Sequence, residues 1–493
     1  MRKFNIKTII LSLFVASLFG CSDDYFDVNT PSNTASLDEL GMKDLMAPVI
    51  HSTMEGQRSA ELSFGNYTQY FVSTGGGAAG ETSVSGLWSQ VYLYILPNLK
   101  VIKEKSVENN APHIGAISDI LIAINLGIAT DSWDDIPYSK ATEGPDSNFP
   151  AFDTQEEIYT EIFDLLDGAI TALQGADNSG FTLGASDLIY GGNTDFWLRA
   201  AYTIKARYQL HLVGKAGITA NDVLTTISNG FTSNDDNFEM FYSDTNINPW
   251  YSEEILSRLT GNLSKDIASQ IVSSMNGDYY PFTGTLEIDP RLPLFAEIDD
   301  TETEYKGYVS GGAGVSPDGT DANTGFATDG YYTSIDSPLL LISYAEAMFI
   351  KAEAAFLVGG GTTTSVGADA TAYAAYIEGV AASFEMFDVD GADYLADGAI
   401  AVGEAGLALH HIMKEKYINN FLNPETFVDF RRYDFSEDVF TGLTIRSEED
   451  SEDSDYFGEW FRRANYPTTE LNRNEDNVLA NQETPVTPVW WDE

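Results

Sequence analysis

The sequence predicts a mainly α fold, a helical framework of tetratricopeptide-like helix pairs carrying long irregular loop regions. Three observations predict it. Apolar residues recur at three- and four-residue spacing in block after block, as in helices buried on one side. Small residues, among them Ala200, Ala201, Ala206, Ala345, Ala352, Ala354 and Ala355, line several of these stripes and allow helices to approach closely. Between the helical blocks lie two irregular regions, about 229–336 and 433–493, the first rich in Gly, Asp, Asn, Thr and Tyr. Loops of that length inside a compact protein are usually functional or disordered. No fixed repeat period shows, so the pattern does not make a regular solenoid.

The chain opens with Arg2, Lys3 and Lys7, then an apolar run over 8–19 that ends Leu18-Phe19-Gly20-Cys21. The run is short for a lasting membrane span, and its flanks are those of a secretory signal. Leu-x-Gly-Cys resembles a bacterial lipobox. The expected organisation is a signal peptide at 1–20, a polar tether at 21–36 lipidated on Cys21, and one binding domain over 37–493. Two or three acyl chains on Cys21 anchor a protein to a membrane stably, where one holds it only reversibly. Cys21 is the single cysteine, so a lipidated chain has no disulfide and no thiolate metal site. No later segment is expected to have the apolar length of a transmembrane helix.

Ile117, Ile120, Leu121, Ile124 and Ile128 form the first clear stripe. Ile158, Ile162, Leu165, Ala169 and Leu173 form the second, behind a cap at Asp153 or Thr154. Trp197, Ala201, Ile204, Tyr208 and His211 form the third. A fourth is expected to start with Ser337 as cap and Pro338 at the first helical position, where a missing N–H has no consequence. It carries Leu341, Ala345, Met348, Ala352 and Ala355 and stops at Gly359-Gly360-Gly361. Further helices are expected near 87–105, 369–386 and 404–421.

The net charge of −49 argues against nucleic acid as a partner, since that needs clustered Lys and Arg. It also disfavours polyanionic ligands. Enzyme signatures are missing: there is no His-Glu-x-x-His, no Gly-x-Ser-x-Gly and no cysteine nucleophile after Cys21. His211 falls on a buried stripe and reads as a core residue. Asp388, Asp390 and Asp393 around Gly391 do not meet the calcium-loop order, and no metal or cofactor is expected. The glycine-rich stretch 75–80 lacks the Lys-Ser/Thr of a phosphate loop and reads as a mobile loop at a mouth.

Six motifs in order make the chain recognisable. Asp131-Ser132-Trp133-Asp134-Asp135-Ile136-Pro137-Tyr138-Ser139-Lys140-Ala141 resembles the Gly-Asp-Val-Pro-Tyr-x-x-Ala signature of the SusD/RagB family. The helix after Phe152-Asp153, the block at 190–212 and the Tyr344-Ala345-Glu346 to Lys351-Ala352-Glu353-Ala354 helix are similar to the elements that follow it in that family. Glu415-Lys416-Tyr417, Asp429-Phe430-Arg431-Arg432 and the ending Arg463-Ala464-Asn465-Tyr466-Pro467 with Glu470, Asn474 and Asn477 complete the set. Asp134 stands where glycine is usual, Glu415 where glutamine is frequent, and Tyr417 and Phe427 where tryptophan is frequent. Ser22-Asp23-Asp24 also resembles the surface-export signal of Bacteroidota lipoproteins.

The resemblance implies helix pairs packed against a partner barrel, outer-membrane and cell-surface placement, and delivery of ligand to a SusC-type TonB-dependent transporter. It implies binding without catalysis. The ligand it implies is an oligo- or polysaccharide, and the acidic charge favours a neutral glycan. The alternatives are a peptide-capturing RagB-like lipoprotein or a surface adhesion protein without a transported ligand.

A sugar offers an apolar C–H face and a rim of hydroxyls, so its site wants an exposed aromatic bordered by amides and carboxylates. Trp250 and Tyr251, with Tyr242 and Asn248, form the leading candidate platform. Tyr67, Tyr70 and Trp88 mark a second stretch, although Trp88 sits on a helical stripe with Tyr92 and Ile95 and suits the core better. Tyr280 and Tyr305 lie in a third, within the Gly- and Asp-rich loops. The acidic run at 447–455 reads as a solvated loop.

Overall fold

The computed structural model describes residues 40–77, 80–143, 148–445 and 455–493. The signal, the lipobox with Cys21 and the acidic pair behind it lie outside the described residues, as does nearly all of the acidic run. The described chain is mainly α, with three short two-stranded antiparallel ladders.

Helices of seven or more residues are numbered here. The first, α1 (Met42–Phe64), is absent from the sequence expectations, yet it buries Met46, Val49, Ile50, Met54, Ala60 and Phe64 along one side. A helical turn at Ser85–Ser89 and a π-helical segment at Gln90–Ile95 lead into α2 (Leu96–Glu108). The next helix, α3 (Pro112–Trp133), carries the first predicted stripe. By length and composition α3 is apolar enough to cross a membrane, contrary to expectation, but most of it is buried inside the fold. Its apolar residues run all round because neighbours cover it on several sides.

Thr154 caps α4 (Gln155–Gln174). The Glu157 N–H donates to its hydroxyl at 3.3 Å while the Glu157 carboxylate accepts from the Thr154 N–H at 3.0 Å, satisfying two end groups reciprocally. The third stripe is α5 (Thr194–His211), followed by α6 (Ala220–Ile227) and α7 (Ser269–Met275). The fourth predicted helix begins later than expected. Residues 339–342 are a strand, Leu339–Ile342, paired with Phe238–Met240, and Ser343 caps α8 (Tyr344–Val358), its hydroxyl accepting from the Glu346 N–H at 3.0 Å. A four-residue apolar run supports either a strand or a helix, and the waiting strand partner decides it. Then come α9 (Ala370–Met386), α10 (Leu409–Asn419), α11 (Glu425–Arg432) and α12 (Glu475–Asn481). The most extensive helix pairs are α3 with α4 and α8 with α9.

The recognisable motifs form the polar skeleton of this frame. Arg207 on α5 grips Glu346 on α8 through two bonds of 2.9 and 2.7 Å. His211 donates from Nε2 to Glu425 at 2.7 Å. Lys416 donates to Asp429 at 2.9 Å, and Arg432 joins Asp429 at 2.6 Å and also bonds Glu353. Arg291 binds Asp289 and Glu415, each at 2.7 Å. The side chains of all these groups are buried, and buried charge persists only when it is paired and hydrogen-bonded.

The C-terminal segment closes over the signature loop. Asp134 has φ +78° and ψ −109°, a conformation natural to glycine. Its carboxylate accepts from the Trp490 N–H at 2.9 Å and from Arg463 at 3.0 Å. Trp491 donates from its indole to Asp131 at 2.8 Å, and its N–H donates to Gln155 at 3.1 Å.

Candidate ligand-binding cleft

The structure separates the sequence-selected aromatics into core and cleft. Trp250 is a core residue, only 1 % exposed, edge-on to Phe71 and covered by the Arg58 guanidinium. The leading platform is therefore corrected: its indole is spent on packing. Asn248 is buried too, and its side-chain oxygen accepts from the N–H groups of Trp250 and Tyr251 at 2.7 and 3.1 Å. The asparagine starts the turn that leads into the π-helical segment Tyr251–Leu256, and Tyr251 packs half-buried against the core. Tyr242 is buried and donates to Glu55 at 2.9 Å.

The second group is also structural. Tyr70 is stacked on Tyr417 with ring centres 4.7 Å apart, and its hydroxyl donates to the Tyr417 carbonyl at 2.7 Å. Tyr67 is buried among Phe64, Phe427 and Phe461, with its hydroxyl on the Gly80 carbonyl at 2.8 Å. Trp88 is buried edge-on to Trp133, as its stripe suggests. Tyr280 is half-buried but tied to the frame, stacked on His410 and accepting from the Thr441 N–H at 3.3 Å. The glycine stretch touches its surroundings at two described points. The Gly75 N–H donates to Asp266 at 2.8 Å, and a Cβ on Gly76 would lie 2.9 Å from the Gly314 nitrogen.

Tyr305 lines a sizeable cleft. The cleft has a volume of about 510 Å³ and is walled by three loop segments and the end of α7. Asn276 and Asp278 come from the end of α7, Glu287 from the next loop, Lys306 from beside Tyr305, and Ser316 and Asp318 from the turn beyond. Sequence reasoning passed over these polar residues. Their only signal is position: Asn and Asp beside Gly in a tyrosine-bearing loop.

Each wall is fixed by local chemistry. The Tyr308 N–H donates to the Ile267 carbonyl at 2.9 Å, and the Ser269 N–H donates to the Tyr308 carbonyl at 2.8 Å. Gly307 permits this approach, since a Cβ there would meet the Ala268 oxygen and the Ser269 Cα at 2.7 Å. Two residues earlier, Tyr305 is half-buried, packing against the core as well as lining the cleft. Burial, with the Glu297 charge behind it, raises its phenol pKa, so the hydroxyl stays protonated and available as donor and acceptor. The opposite wall is held where the Asp289 N–H donates to the Met275 carbonyl at 2.7 Å.

The rim is acidic. Asp278, Glu287, Glu304 and Asp318 face one base, Lys306, which donates to Asp318 at 3.2 Å and to Thr320 at 2.9 Å. Asp318 also accepts from Ser316 and from the N–H and hydroxyl of Thr320, which hold its carboxyl well below the usual range. An aromatic flank bordered by amide, hydroxyl and carboxylate groups suits a polyol. The surplus of negative charge repels an anionic one. Among the described residues no group of His, Cys, Asp and Glu is arranged to hold a metal ion.

Comparisons with known proteins agree with the fold. A family model described as starch-binding and associating with the outer membrane matches residues 32–467. A chitin-binding SusD homolog from Flavobacterium johnsoniae superposes with TM-score 0.69 at 22% identity, covering 92% of this chain and 98% of that one. A SusD/RagB family protein from Bacteroides thetaiotaomicron gives TM-score 0.68 at 23% identity, covering 92% and 99%. A SusD homolog from Bacteroides uniformis gives 0.71 at 21% identity, covering 92% and 99%. At these identities the structural likeness is one of fold. No curated protein matches the chain in sequence.

Proposed function

The chain belongs to the SusD/RagB family, and from that premise we propose that it captures a neutral oligo- or polysaccharide at the cell surface in the Tyr305 cleft. It then hands the glycan to a SusC-type TonB-dependent transporter. In this reading, lipid on Cys21 anchors the protein to the outer membrane after the signal at 1–20 is removed. Its work is binding, not catalysis.

One observation carries the proposal: a half-buried tyrosine lining a cleft of about 510 Å³ rimmed by amide, hydroxyl and carboxylate groups. Chitin binding by the Flavobacterium johnsoniae protein supports an uncharged sugar as the ligand class.

The test is migration of the mature chain through native gels containing neutral polysaccharides (β-glucan, starch, soluble chitin derivatives) or anionic ones (alginate, sulfated polymers). Retardation by a neutral polymer, lost in Tyr305→Ala, is the expected result. Retardation only by an anionic polymer, or none by any polymer from folded protein, overturns the reading. Binding of a peptide pool in that case points to the peptide-capturing alternative.

A further inference from the structure

We propose that Asn323 is a positioning residue that holds the Tyr305 ring in its binding orientation; this rests on the reading of the cleft given above. Asn323 grips the chain on both sides of Tyr305. Its Nδ2 donates to the Glu304 carbonyl at 3.0 Å, and its Oδ1 accepts from the Lys306 N–H at 2.9 Å. Its own backbone N–H donates to the Lys306 carbonyl at 3.0 Å.

The side-chain amide thus replaces the backbone amide of a missing strand neighbour. In an extended segment the carbonyl before a residue and the N–H after it point to the same edge, while that residue's own carbonyl points to the opposite edge. The Tyr305 carbonyl accordingly faces the other way and accepts from Asn276 Nδ2 at 3.4 Å, a weak bond. Two asparagines therefore clamp opposite edges of one tyrosine, and the shorter bonds belong to Asn323. A further contact stiffens the clamp, as the Thr324 hydroxyl donates to Asn323 Oδ1 at 3.1 Å.

A ring fixed before the ligand arrives does not have to be ordered by it, and ordering one side chain weakens binding by about three- to tenfold. Asn323→Ala removes both side-chain bonds. Asn323→Asp keeps the acceptor for the Lys306 N–H and loses the donor to the Glu304 carbonyl.

The test is calorimetric titration of the mature chain with laminarihexaose, maltoheptaose and an N-acetylglucosamine hexamer. Wild type is compared with Asn323→Ala, Asn323→Asp and Tyr305→Ala, alongside hydrogen exchange of the peptide spanning 304–308. We expect Tyr305→Ala to abolish binding and Asn323→Ala to weaken it about three- to tenfold. The weakening should lie in the entropy of binding, with faster exchange at 304–308, and Asn323→Asp should fall between. Unchanged affinity in Asn323→Ala while Tyr305→Ala abolishes binding overturns the inference and leaves the cleft reading intact. A loss in Asn323→Ala that lies in enthalpy, with exchange unchanged, also overturns it. Unchanged binding in Tyr305→Ala, or no binding of any probe by wild type, overturns the cleft reading and the inference with it.

Discussion

Asp134 sets strain against bonding, and the two can be measured apart. A non-glycine residue at φ +78° and ψ −109° is destabilising by roughly 1–3 kcal/mol. Against this stand two charge-assisted bonds, from Arg463 at 3.0 Å and the Trp490 N–H at 2.9 Å, each contributing about 1.5–3 kcal/mol. Burial raises the Asp134 pKa, and the Arg463 charge offsets only part of that, so the bonding gain belongs at the low end of its range. Asp134→Gly removes both strain and bonds, giving a net loss of about 0–3 kcal/mol. Asp134→Ala keeps the strain and loses the bonds, a loss of about 3–4 kcal/mol. The assay is urea unfolding of the mature chain, with midpoints compared at constant slope. Equal stability of the alanine and glycine variants would refute the strain. A glycine variant more stable than wild type would refute the worth of the bonds.

Trp250→Ala should destabilise the fold by about 3–5 kcal/mol, as a large buried aromatic does; a melting temperature unchanged from wild type would contradict its burial. Burial lowers the His211 pKa, but Glu425 and Asp131 outweigh it and lift the ring to about 9. Its contribution is therefore complete below the unfolded value near 6.5 and is lost as pH rises through about 9. Unfolding curves between pH 6 and 10 should show that loss, and His211→Gln should flatten it. Asp429→Ala leaves Lys416 and Arg432 without their shared carboxylate and should reduce stability by about 3–5 kcal/mol. Near-wild-type urea midpoints would show that water or Glu353 takes its place.

The frame was legible where pattern and chemistry agree locally. Thr154 with Glu157 announces a helix start in four residues, and Gly359 marks an end. Ser337-Pro338 made an equally good local start, but the strand Phe238–Met240, a hundred residues earlier, claims residues 339–342. No local pattern contains that partner. The site was less legible for a similar reason. Trp250 and Tyr305 both sit in polar stretches that carry other tyrosines, and composition does not tell them apart. Trp250 is covered by Phe71 and Arg58, from distant parts of the chain. Tyr305 keeps access to a cleft because Gly307 lets its segment dock beside the start of α7. The motif residues were recognisable by type and order, but their collective role as a charged skeleton appears only when α5, α8, α10 and α11 meet.

That skeleton has a consequence for how the Tyr305 stretch can vary. Most of its ion pairs tie separate elements together, as Arg207 with Glu346 and Arg432 with Glu353 do, whereas the single ion pair among the described residues of 303–323 is internal, Lys306 with Asp318. The stretch bearing Tyr305 is joined to the rest by backbone bonds, the Asn276 amide, the packing of Tyr305 against the core and close glycine contacts, and by no ion pair among the described residues. It is built like a cartridge in a socket. Exchange of side chains within it leaves the socket's charges matched, so on the proposed reading ligand preference can vary without disturbing the ion pairs that hold the frame.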